Sequence, residues 1–157
     1  MADVLLLRSE VPKYANIIYK KVAVLNVATA GALGSDINGV LIHTFGAYGG
    51  FIAGLKISTD DIAAVNVFLY SKLSTDIIPE GIVNVPLSSG NLGTVANLDA
   101  LAGSGVRSLG DWIEQNGKRV IPCQALHDFK CSVLANMTSG KKCFVTALIF
   151  EYSDTVG

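Results

Sequence analysis

The sequence predicts an all-β protein, an antiparallel β-sandwich of about eight strands, and three observations carry that expectation. Short runs rich in β-branched and aromatic residues alternate with period two, turn-forming residues separate them, and no window sustains the 3.6-residue period of a helix. The strongest run is 51–70 (FIAGLKISTDDIAAVNVFLY). Phe51, Ala53, Leu55 and Ile57 share one side of an extended chain, with Ile52, Gly54, Lys56 and Ser58 on the other. After Ser58-Thr59-Asp60-Asp61 the alternation resumes, Ala63, Val65, Val67 and Leu69 opposing Ala64, Asn66, Phe68 and Tyr70. Two such runs around a polar turn read as a β-hairpin with at least one buried face.

In chain order, residues 1–20 form a leading segment in which 4–7 (VLLL) suits a short strand that Pro12 then breaks. Residues 14–21 are apolar without a period, so the segment fits either an arm that docks on a neighbour or an edge strand of its own domain. Residues 21–157 read as a single sandwich domain. Within it, 21–27 (KVAVLNV) is a strand, 28–39 a loop of small and polar residues, and 40–45 (VLIHTF) another strand. Residues 77–87 are extended, but Pro79 and Pro86 confine them to a sheet edge or split them at a bulge. The stretch 88–115 is weakly patterned, with at most a short helix in the 95–102 region. Asn116-Gly117 marks a tight turn. Residues 128–136 and 142–152 then form a second hairpin around 137–140. Phe129, Cys131, Val133 and Ala135 share a face there, as do Cys143, Val145, Ala147 and Ile149.

A chain of 157 residues is long enough for one domain with a real core. Hydrophobic residues make up 50% of it and charged residues 16%, and the mean hydropathy is +0.46. That is apolar for a soluble monomer. Because no run approaches the ~18 apolar residues of a membrane-spanning helix, the expected explanation is burial against partner chains rather than a membrane. A net charge of −1 and a pI near 6.1 give no reason to expect a nucleic-acid partner. The opening MADVLLLRSEVPKY has no basic region followed by an apolar core, so no secretory signal is expected. The odd set Cys123, Cys131 and Cys143, without CxxC spacing, is then expected to stay reduced.

The chemistry-bearing residues do not assemble into a catalytic pattern. His43 alternates with Leu41 and Phe45 as a packing residue, and His127 sits beside Asp128 in a turn. With no thiolate pair nearby, neither suggests zinc. Cys131 and Cys143 behave as small core hydrophobes. A turn centred on residues 138 and 139 would pair Cys131 with Thr146, which leaves Cys123 with Cys131 as the better disulfide candidate under oxidation. Asp60-Asp61 and Asp76…Glu80 read as solvated turn formers without calcium-loop spacing. Gly103-Ser104-Gly105 and Ser88-Ser89-Gly90-Asn91 lack the lysine and the strand-to-helix context of a phosphate loop. Asn136-Met137-Thr138 matches a glycosylation sequon that is silent without secretion. Tyr48, Tyr70 and Trp112 would suit a sugar platform, although scattered aromatics more often fill a core or an interface. The expectation is a non-enzyme with no cofactor and no metal.

A further set of motifs points to a family. Phe45-Gly46-Ala47-Tyr48-Gly49-Gly50-Phe51-Ile52 follows a loop of small residues and leads into the alternating run at 63–70. An edge segment, 82–90 (IVNVPLSSG), comes next. The closing block 129–152 contains Val133-Leu134-Ala135-Asn136-Met137-Thr138-Ser139-Gly140-Lys141. This succession, over roughly 28–152, resembles a widespread family of small virion proteins of tailed bacteriophages. The chain departs from that pattern in the 91–116 insertion and the Glu151-Tyr152 ending, and residues 1–20 have no counterpart.

The resemblance implies a jelly-roll-like sandwich made in the host cytoplasm and carried in the virion, as a capsid decoration or cement protein. Its partners would be the major capsid protein or other virion proteins and further copies of itself, a trimer being one arrangement. Its expected interface residues are Val4, Leu6, Tyr14, Ile17, Tyr19, Tyr48, Phe68, Tyr70, Leu98 and Trp112. The alternative is a tail, neck or fibre sandwich that binds host-surface carbohydrate or receptor. A small-ligand β-barrel is a third option, for which the sequence carries no pocket signature.

Overall fold

The computed structural model describes residues 17–91, 96–102, 106–110, 112–115, 118–134 and 137–153. Among them are eleven strands: β1 (Ile17–Leu25), β2 (Val40–Thr44), β3 (Gly50–Thr59), β4 (Val65–Leu73), β5 (Asp76–Val85), β6 (Leu98–Asp99), β7 (Val106–Ser108), β8 (Ile113–Gln115), β9 (Lys118–Cys123), β10 (Asp128–Val133) and β11 (Cys143–Glu151). Sheet A runs β1-β11-β3-β9-β8, with β6 also on β3, and sheet B runs β2-β10-β4-β5-β7. The named strand pairs are antiparallel.

Eight of these strands form the two layers β1-β11-β3-β9 and β2-β10-β4-β5. Successive strands cross from one layer to the other except at β4–β5, which is the arrangement of a jelly roll. The short β6, β7 and β8 all fall between β5 and β9, in the weakly patterned stretch. The inward rows fill the space between the sheets. Leu25, Leu55, Ile57, Val67, Leu69, Phe129, Val145 and Ile149 are wholly inaccessible, and each such aliphatic or aromatic side chain contributes roughly 1.5–3 kcal/mol by leaving water.

Several expectations change. The two runs of 51–70 are not a hairpin, because β3 lies in sheet A and β4 in sheet B. The run 128–152 is likewise split, β10 in sheet B and β11 in sheet A. Local alternation cannot distinguish a hairpin from an arch between sheets, since both need one buried face per strand. Cys131 therefore lies opposite Leu69 and Val40, and Thr146 opposite Val22 and Lys56. Among the described residues β4 and β5 form a hairpin, where Leu73 faces Asp76 around Ser74-Thr75, and β8 pairs with β9, where Gln115 faces Lys118. In place of helix at 95–102, the described residues carry β6, paired with Lys56 and Ile57, followed by a turn. The domain boundary placed at residue 20 falls inside β1, which starts at Ile17.

The two arches are tied to each other. Asp61, 1% exposed, accepts from the Thr138 amide (2.9 Å), the Thr138 hydroxyl (2.7 Å) and the Ala63 amide (3.1 Å). Asp60 accepts from the Lys142 amide at 2.7 Å. Asp61 is thus a buried clasp rather than a solvated turn former. Burial alone would push its carboxyl up, but the Thr138 hydrogen bonds outweigh that and hold it below the usual range.

Three bulges shift the side-chain alternation. Ala53 is extra on β3, between the Leu148–Gly54 and Ile149–Ile52 pairs, so Ile52 joins Leu55 and Ile57 inside while Phe51 turns out. Ile42 is extra on β2, so both it and His43 are buried while Leu41 is exposed. Glu80 is extra on β5, beside Pro79, as the prolines anticipated. The bulge turns its carboxylate inward, where Ser71 Oγ donates to it at 3.0 Å.

Candidate interaction face

The two sheets treat their outer faces differently. On sheet B, Phe68 and Tyr70 point away from the core and stack with centroids 4.9 Å apart, yet both are 0% exposed. The loop between β1 and β2 covers this face. Asp36 in that loop accepts from the Tyr70 hydroxyl and is ion-paired with Lys72 and with Lys130, the latter at 2.6 Å. Burial would raise the Asp36 pKa, but the Lys130, Lys72 and Tyr70 donors together lower it to about 2. Gly39 lets the loop lie flat, since a Cβ there would sit 1.7 Å from the Tyr70 hydroxyl oxygen. Phe68 and Tyr70, expected at an interface, are therefore satisfied within the chain.

The outer face of sheet A has no such cover among the described residues. Register places Ile18 opposite Phe150, Lys20 opposite Leu148, Val22 opposite Thr146 and Val24 opposite Phe144. On the other side of β11, Phe150 meets Phe51, and these rings stack at 5.1 Å. Ile18 and Val22 are each 57% exposed, and Val24, Phe144 and Leu148 are exposed with them. The result is a mainly apolar strip along β1 and β11 that reaches Phe51 on β3, interrupted by Lys20 and Thr146 and bordered by the edge strand β1. Contiguous apolar surface and an unpaired strand edge are both features that proteins normally cover.

The other expected interface residues scatter. Tyr19 turns inward, its ring 4.8 Å from His43 and packed against the core. Tyr48 is exposed on the turn between β2 and β3. Leu98 packs partly buried on the core from β6, and Trp112 does so with the Arg119 guanidinium 5.2 Å from its ring. Tyr48, Tyr70 and Trp112 make no ring contact with one another, so they form no sugar platform. Ile17 begins β1 opposite Glu151, while Val4, Leu6 and Tyr14 lie outside the described residues. The sequence reading missed Ile18, Val22, Val24, Phe144 and Leu148. Part of their signal was present, because 143–151 alternates with apolar residues on both sides and only one side was assigned, whereas 14–21 shows no period and neither side of 21–27 was assigned.

The titratable groups serve packing. His43 Nε2 donates to Glu151 Oε2 at 2.8 Å, and the Gly46 amide donates to Glu151 Oε1 at 2.6 Å, joining β2 to the end of β11 across the layers. Cys123, Cys131 and Cys143 are free and buried. Burial pushes all three thiols up, Cys143 to about 12, and the neighbouring Glu80 charge adds to the effect at Cys123. Such thiols stay protonated and are poor nucleophiles. Among the described residues no cluster of His, Cys, Asp and Glu could hold a metal ion, and no helix is long and apolar enough to cross a membrane.

Comparison with protein-family models, with curated proteins and with solved structures finds no match.

Proposed function

We propose that this chain is a non-catalytic structural component of a tailed-phage virion, a decoration or cement protein seated on the assembled head. The observation that carries the reading is the mainly apolar strip of β1 and β11, with Phe51 of β3, which no described residue covers, on a molecule whose sheet B face is covered by its own loop. A neighbouring virion subunit is the occupant this reading assigns to it. Residues 1–16, which include Val4, Leu6 and Tyr14, join the chain at β1 and supply further contact to the same neighbour. A protein that binds only the assembled shell stabilises it by mass action, by RT ln(1 + [L]/Kd).

The test adds purified protein to assembled heads lacking it and measures occupancy by co-sedimentation, followed by the heat resistance of the particles. Val22→Glu with Leu148→Glu places two charges on exposed positions, so the melting temperature of the free protein should hold while occupancy falls at least tenfold. Equal decoration by this variant would overturn the assignment of the face. Failure of the unaltered protein to bind heads would overturn the cement role itself.

A further inference from the structure

β1 ends sheet A, and it is a long, regular edge. It runs for nine residues and pairs with β11 residue for residue, from Ile17–Glu151 to Leu25–Cys143. No bulge or proline interrupts it, whereas β2, β3 and β5 each carry a bulge. In an antiparallel strand alternate residues point both N–H and C=O away from the paired neighbour. β1 therefore presents an unbroken row of donors and acceptors that has no partner strand among the described residues. Proteins blunt such a row with a short strand, a bulge, a proline or charge, and here only charge is used, at Lys20 and Lys21.

These two lysines set the chemistry of the edge. Lys56 is ion-paired with Asp99, and Lys72 and Lys130 with Asp36, but Lys20 and Lys21 have no carboxylate partner among the described residues. Lys20 lies on the outer row of β1, between exposed Ile18 and Val22. Lys21 lies on the other row, its ammonium 5.4 Å from the centre of the Tyr19 ring. A second copy aligned antiparallel along this whole edge is centred on Lys21 and sets it against its own counterpart. Like charges directly opposite are destabilising. Toward an acidic strand the same charges are attractive. The side chains of an added strand continue the rows of its neighbour. Apolar residues then fall beside Ile18, Val22 and Val24, and carboxylates beside Lys20 and Lys21.

We propose that β1 takes an extended acidic segment of its partner as a further strand of sheet A, apolar side chains lengthening the strip and carboxylates meeting Lys20 and Lys21. This deepens the shell-binding reading and rests on it only for the identity of the partner as a virion subunit. The probe is a capped nine-residue peptide of alternating valine and threonine with two central glutamates, titrated into the full chain at low ionic strength. Amide hydrogen exchange along β1, followed by NMR, reports binding. The peptide should slow exchange of the outward β1 amides saturably. Its lysine counterpart should bind at least tenfold more weakly, and a version with alternate amides N-methylated should not bind. Lys20→Glu with Lys21→Glu changes two exposed positions, so the melting temperature should hold while the preference between the glutamate and lysine peptides reverses. Absence of saturable protection, or equal binding of the two peptides, would overturn the proposal. So would outward β1 amides already protected in the free chain: protection that grows with concentration puts a second copy on the edge, and protection independent of it puts residues 1–16 there. Normal decoration of heads by the charge-reversed variant, with no peptide bound, would remove this inference and leave the shell-binding role standing. Peptide binding by a chain that ignores heads would do the reverse.

Discussion

At the scale of single residues, Asp36 shows how one carboxylate decides what a whole sheet face does. It gathers the Tyr70 hydroxyl and the ammonium groups of Lys72 and Lys130, and so closes a loop over two aromatic rings that would otherwise face solvent. Its pKa is lowered from 3.8 to about 2, so folding is favoured while the group is ionised. That contribution is complete above its ordinary value and is lost as pH falls toward about 2. Asp36→Asn should therefore cost on the order of 2 kcal/mol at pH 7, read by urea unfolding. The gap between variant and parent should narrow steadily as the pH is lowered from 4 to 2. A pH-independent gap would mean that the loop is held by shape rather than charge.

At the scale of elements, the arches and bulges are what turn alternating runs into a jelly roll. The clasp between Asp61 and Thr138 holds the β3–β4 arch against the β10–β11 arch. Thr138→Val keeps the amide donor and the side-chain volume but removes the hydroxyl that donates to a buried carboxylate. It should destabilise the fold by about 1–3 kcal/mol, measured by denaturant midpoint, whereas a change within a few tenths would make the clasp incidental. The bulges explain why strict period-two reading failed locally. One extra residue at Ala53 turns Phe51 outward, one at Ile42 brings His43 in to meet Glu151, and one at Glu80 sends a carboxylate toward the interior. Pro79 signalled only the last of these, because alanine and isoleucine carry no local mark of a bulge.

At the scale of the molecule, burial ties the cysteines to global stability. All three thiols are buried in strands of the two sheets, and burial raises their pKa values. Alkylation by iodoacetamide at pH 8 should be negligible in the native protein and should rise for all three thiols together along the urea unfolding curve. Rapid labelling of any one of them in native buffer would indicate local opening of its strand. The same scale accounts for the 50% hydrophobic composition. Part of it fills the core, part is covered by the 26–39 connection on sheet B, and part lies on the sheet A face that no described residue covers.

The chain by itself determined the all-β class, most of the longer strands and the inward rows of β10 and β11, because period-two alternation is a local property that needs no partner to be read. It also marked the bulge beside Pro79, where residue chemistry restricts the backbone directly. Only the tertiary structure decided which strands pair, since β3 and β4 satisfy the same pattern as a hairpin or as an arch. It alone showed that Phe68 and Tyr70 are covered from within, while no described residue covers Ile18, Val22 and Leu148. That outcome turns on Asp36, distant in sequence from Tyr70 and Lys130, and long-range ion pairing leaves no trace in local periodicity.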